Sequence, residues 1–155
     1  NIGRQAIGLV NPLTVSRSAT DALKKGWLRK SDTICMNSEH LLATAKHKVL
    51  ELSEAGYKPP KFREDLSLPG MTLRTMASVG LKAMKAQGKI SDHDELVASK
   101  TAFVLSGGDK GGLMSKVDEQ YVLDIEREAF MSLAGEEKTQ QRIAHFLKTG
   151  KPLRN

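Results

Sequence analysis

Apolar residues recur along this chain at three- and four-residue intervals, the period of an α-helix. The clearest run is Val117 to Leu133, with Tyr121, Val122, Ile125, Ala129 and Leu133 at helical spacing. Ser115 or Val117-Asp118 opens it and Gly135 ends it. A second run, Glu136 to Thr149, carries Ile143, Phe146 and Leu147 on one stripe. Its leading Glu136 and Glu137 suit a positive helix N-terminus. Lys148, Gly150 and Pro152 form its stop signal. Two helices joined around Gly135 pack as a hairpin or an L.

The same reading upstream predicts a helix over Met71–Gln87, with Leu73, Met76, Ala77, Gly80 and Met84 on one face and Gly88 as the stop. Gly80 costs about 1 kcal/mol there relative to Ala, which a close helix–helix crossing would explain. Ser91 and Asp94 form a capping-box-like start for a helix to about Ser106, striped by Leu96, Val97, Phe103 and Val104. Toward the N-terminus, Asn37 caps a helix from Ser38 to about Ala55, with Leu41, Leu42, Ala45, Val49 and Leu52 apolar and Gly56 as its stop. Ser18 caps a short helix, Ala19–Lys25, ended by Gly26. Thr33–Met36 is a candidate short strand, and Asn1–Arg17 a short helix or extended segment. Tyr57–Gly70, with Pro59-Pro60 and Pro69-Gly70, has linker composition. The fold expected is all-α: five or six helices, the last two forming a C-terminal hairpin. It divides into an N-terminal lobe (1–57), a Pro-containing linker (58–70) and a C-terminal helical lobe (71–155).

Glu126 interrupts an apolar arc. At 100° per residue it falls between Val122, Ala129 and Leu133 on one side and Leu123 and Phe130 on the other. Either it stands at the lip of the core with its head in water, or it is buried against a cation, since a buried charge is tolerated only when paired. Arg142 is the favoured partner because a guanidinium forks onto a carboxylate. His145, Arg74 and Lys100 are the other cations in reach.

Composition changes this picture little. The 155 residues suffice for one core, and Cys35 is the only cysteine, so no internal disulfide forms. No apolar run reaches transmembrane length. The chain opens on Asn1 without a signal-peptide pattern, which fits a piece of a longer polypeptide in a reducing compartment. The net charge of +6 invites a nucleic-acid reading. Its cations are spread along the chain with few aromatics between them, which favours a solvated basic face or attraction of an anionic ligand.

Candidate chemistry is sparse. Gly107-Gly108-Asp109-Lys110-Gly111-Gly112 lacks the Gly-Lys-Ser/Thr of a phosphate-binding loop and follows a helix, so it reads as a flexible hinge. His40 and His47, seven residues apart, lie about 10 Å apart along a helix, too far for one metal ion. His93 reads as a first-turn surface residue. There is no dinucleotide fingerprint after a strand and no nucleophile elbow.

Several stretches carry a family resemblance. Glu119-Gln120-Tyr121 through Leu133, and the ending Lys148-Thr149-Gly150-Lys151-Pro152-Leu153-Arg154-Asn155, resemble the extreme C-terminus of a bacterial multifunctional fatty-acid oxidation protein. That family joins an NAD-dependent 3-hydroxyacyl-CoA dehydrogenase to a C-terminal crotonase-like enoyl-CoA hydratase region. Ser18 through Leu28, His40-Leu41-Leu42 and Ala45-Lys46 resemble crotonase elements that follow the catalytic centre. The catalytic carboxylates and oxyanion-hole backbone of that family belong to earlier segments, so the resemblance brings fold and context but no catalytic residue. It implies a non-catalytic C-terminal portion of a cytoplasmic β-oxidation enzyme, with NAD and acyl-CoA handled by the parent protein and no cofactor in this portion. Its partners would be the rest of the same polypeptide and a possible second copy, with no nucleic acid and no membrane span. Ile7, Val10, Trp27 and Leu28 are the candidate interface residues. An independent helical interaction module is the alternative, and a basic nucleic-acid binder the third reading.

Overall fold

The computed structural model describes residues 15–155. They fall into two compact units, one ending at Lys61 and the other beginning at Phe62. The break lies inside the Pro-containing stretch. All regular structure among the described residues is helical.

The first unit contains α1 (Ala19–Lys24), a 3-10 turn (Ser38–His40) and α2 (Leu41–Glu54). Ser18 caps α1 through its Oγ, which accepts the Asp21 N–H at 3.1 Å. Asn37 Oδ1 accepts the Glu39 N–H at 3.0 Å and starts the 3-10 turn. The strand expected over Thr33–Met36 is absent. Four residues of the expected pattern are too few for a strand without a neighbour to pair with. None of the residues of α2 is buried, and Leu42 and Val49 are 82% and 63% exposed.

The second unit contains α3 (Met71–Ala86), α4 (Asp92–Leu105), α5 (Glu119–Ala134) and α6 (Glu137–Thr149). The packing α3 on α4, α4 on α5 and α5 on α6 follows chain order, as short connections favour. The core is small: Leu73 and Leu81 of α3, Ala98 and Ala102 of α4, Val117 and Ile125. α1 to α4 share one C-terminal device. In each, a glycine N–H donates to the carbonyl of the second-last helical residue and the following N–H to that of the third-last, as in Gly26 N–H to Leu23 O at 3.1 Å and Trp27 N–H to Ala22 O at 3.0 Å. Gly26, Gly56, Gly88 and Gly107 occupy these stops.

The segment 62–70 is not free chain. Leu66 and Val117 exchange two backbone hydrogen bonds of 3.0 Å as an isolated antiparallel bridge. The Arg63 N–H donates to Glu119 Oε2 at 3.0 Å, and the Glu119 N–H to Arg63 O at 2.7 Å. Pro69 and Gly70 therefore lead into α3 from a segment already pinned to the start of α5.

Candidate functional site

Two polar constellations stand out in the second unit. The first is built at the start of α4. Ser91 Oγ accepts the Asp94 N–H and the Asp94 carboxylate accepts the Ser91 N–H, both at 3.1 Å, completing the capping box. The same carboxylate takes Nη1 of Arg142, on α6, at 2.8 Å. Arg142 Nε donates to Asn155 Oδ1 at 2.8 Å, and Nη2 lies 3.4 Å from both Ser91 Oγ and Asn155 O. Asn155 Nδ2 donates in turn to Gln141 Oε1 at 2.8 Å. One guanidinium thus ties α4, α6 and the tail after α6. Burial alone would raise the Asp94 carboxyl, but the Ser91 N–H and the Arg142 guanidinium outweigh it and hold it below the usual range.

This overturns the expected Glu126–Arg142 pair. Glu126 is exposed. The apolar arc on α5 is wider than the face that finds a partner. Ile125 is buried with Tyr121, Val122 and Ala129 half-buried beside it, whereas Leu123 and Phe130 are 39% and 60% exposed. Glu126 lies on the unpartnered side of that division, so its carboxylate needs no cation.

His93, expected at the surface, is 4% exposed, and its Nε2 lies 2.9 Å from Thr139 Oγ1 on α6. Burial, then the positive charges of Arg142 and Lys138, push the imidazole below its ordinary value. A hydroxyl beside an imidazole is the raw material of nucleophilic catalysis. Here the imidazole is buried in a helix–helix contact with the half-buried hydroxyl beside it.

The second constellation is a groove of about 270 Å³ between α3 and α4, lined by Arg74, Ala77, Ser78, Leu81, Ser99, Ala102 and Phe103. Arg74 lies over the Phe103 ring, 5.4 Å from its centroid, and donates through Nη1 to Asp109 at 3.0 Å. Its Nε is buried with no partner among the described residues. A guanidinium at one end and two hydroxyls along an apolar floor suit an acidic side chain or a small anion. They supply no nucleophile and no base.

Asp109 belongs to the glycine-rich segment, which is a packed turn rather than the flexible hinge expected. Gly107 and Gly108 are buried, and a Cβ on Gly108 (φ 56°) would stand 2.8 Å from the Tyr121 hydroxyl and 3.0 Å from Ile125. A Cβ on Gly70 would meet the Gly111 carbonyl inside contact distance. These glycines are needed because backbone passes against backbone and α5, which no spacing along the chain discloses.

Of the four candidate interface residues, Trp27 is 45% exposed and Leu28 half-buried, while Ile7 and Val10 lie outside the described residues. Among the described residues no three metal-ligating side chains converge, and no helix is long and apolar enough to cross a membrane. Two ion-pair partners escaped the sequence reading, Asp94 for Arg142 and Asp109 for Arg74. Asp94 already had a role as a cap. Arg74, next to buried Leu73 on the core side of α3, was the available signal that an acid was needed nearby.

A Bacillus subtilis (strain 168) protein named "Probable 3-hydroxyacyl-CoA dehydrogenase" is 45% identical over 141 residues, 91% of this chain. The match covers 18% of that protein, so the chain spans about a fifth of its relative's length. No family model matches the chain, and no solved structure matches it.

Proposed function

We propose that this chain is a C-terminal, non-catalytic portion of a 3-hydroxyacyl-CoA dehydrogenase of fatty-acid β-oxidation, where it packs domains or subunits together. The observation that carries this is the 45% identity over nearly the whole chain to a dehydrogenase about five times longer. The exposed apolar side chains agree with it: Leu42, Val49, Val79, Phe130 and Leu147 are all more than half exposed. In this reading the parent protein binds NAD and the acyl-CoA ester in the cytoplasm and carries a crotonase-like hydratase region. The lobe formed by 1–57 is then the end of that region, with Trp27 and Leu28 facing the rest of it.

The test compares the natural full-length polypeptide with the 155-residue chain for NAD reduction by a 3-hydroxyacyl-CoA. Activity is expected in the long polypeptide and none in the chain alone. Turnover by the chain alone, or none by the full-length polypeptide, would overturn the reading. An independent interaction module is the second reading, favoured by the self-capped helices of both units. A natural open reading frame no longer than this chain would select it.

A further inference from the structure

α3 has a wide apolar face and buries part of it. Leu73, Ala77 and Leu81 turn toward the core. Bordering them, Met76, Val79, Gly80 and Ala83 recur at i, i+3, i+4 and i+7. All four are exposed, Met76 by 54% and Val79 by 66%. Such spacing is the footprint of a helix-binding face. Gly80 sits at its centre, and a Cβ built there meets nothing within 4 Å. The crossing that would explain a glycine in mid-helix is therefore not made among the described residues of this unit.

We infer that this stripe receives a helix from the remainder of the longer polypeptide, one whose own apolar stripe is flanked by Asp or Glu, with Gly80 as the point of closest approach. Two observations choose this occupant. The matched relative is about five times longer than the aligned stretch, so most of its chain lies outside the one described. α3 contains Arg74, Lys82 and Lys85 and no acidic residue. Arg74 and Lys85 already hold carboxylates of their own unit, whereas Lys82, flanking the stripe, has no ion-pair partner among the described residues. A second copy on this stripe would bring together molecules that each carry +6. An acidic flank relieves that repulsion and leaves the glycine notch for the partner's backbone.

The proposal rests on the reading of this chain as part of a longer enzyme, and its test separates the two. Methionine oxidation by dilute peroxide is followed residue by residue in the 155-residue chain and in the full-length polypeptide, with free methionine as internal reference. Met76 is expected to react freely in the chain and several-fold more slowly in the full-length polypeptide. Gly80→Leu should restore its reactivity there, while raising the melting temperature of the isolated chain, because the notch is open and glycine is a poor helix former. Equal reactivity of Met76 in both proteins would overturn the inference. So would protection that grows with concentration of the 155-residue chain, which marks a second copy as the occupant, or a Gly80→Leu variant in which Met76 stays protected. Dehydrogenase activity measured on the same full-length samples reports separately on the functional reading. Protection without activity leaves the docking face standing and removes the dehydrogenase assignment.

Discussion

Arg142 and Glu126 make opposite predictions on neighbouring helices. Arg142 and Asp94 are 22% and 24% exposed, and the guanidinium also bonds Asn155. Arg142→Ala should cost about 1–3 kcal/mol, the range for a partly buried hydrogen bond to a charged group, whereas Glu126→Gln should stay within about 0.5 kcal/mol, as exposed substitutions do. Urea melts of the two variants measure this, and equal effects would contradict the arrangement. His93 sets a pH dependence. Its folded value lies below the ordinary 6.5 because burial, Arg142 and Lys138 disfavour the imidazolium more than Glu136 and Asp94 favour it. The unfolded chain therefore binds the proton first, and stability falls as the pH drops through 6.5 toward the depressed folded value. Chemical denaturation of wild type and His93→Gln across that window should show the slope shrinking in the variant.

At the scale of elements, the turn joining α4 to α5 is the test of packing. Gly108 holds a left-handed φ with Tyr121, Ile125 and Phe103 around the missing side chain. Gly108→Ala should destabilise by about 1–3 kcal/mol through strain and displaced neighbours. Gly80→Ala, in open space on a helix, should stabilise the isolated chain by about 1 kcal/mol. Thermal melts that move in opposite directions would confirm that one glycine serves this unit's own packing and the other does not. A flexible turn at 107–112 would give no loss at Gly108.

For the molecule as a whole, the division at Lys61 and Phe62 has a direct consequence. Residues 57–61 are exposed and lack regular structure, whereas from Arg63 onward the backbone is held by Glu119 and Val117. Exposed, unbonded backbone is where proteases cut first. Limited trypsinolysis should cleave after Lys61 and leave a fragment beginning at Phe62 that keeps α3 to α6. Mass spectrometry of the early products checks this; first cuts inside 62–70 would mean that the Leu66–Val117 bridge does not hold.

The sequence by itself determined the helices and most of their ends. Ser18, Asn37, Ser91 and Asp118 cap where polar residues precede apolar stripes, and Gly26, Gly56, Gly88 and Gly150 stop them, because caps and stops are made within a few residues. The resemblance at Glu119–Leu133 and Lys148–Asn155 likewise pointed to the class of the matched relative. What the tertiary structure alone decided is which part of each apolar arc finds a partner. Periodicity shows that Val122, Ile125 and Phe130 lie on one side of α5, but only packing makes Ile125 core and leaves Phe130 and Glu126 in water. For the same reason the choice of Asp94 by Arg142, the burial of His93 and the tight glycine turn were not legible. Each depends on residues distant along the chain, brought together by contacts that local spacing does not encode.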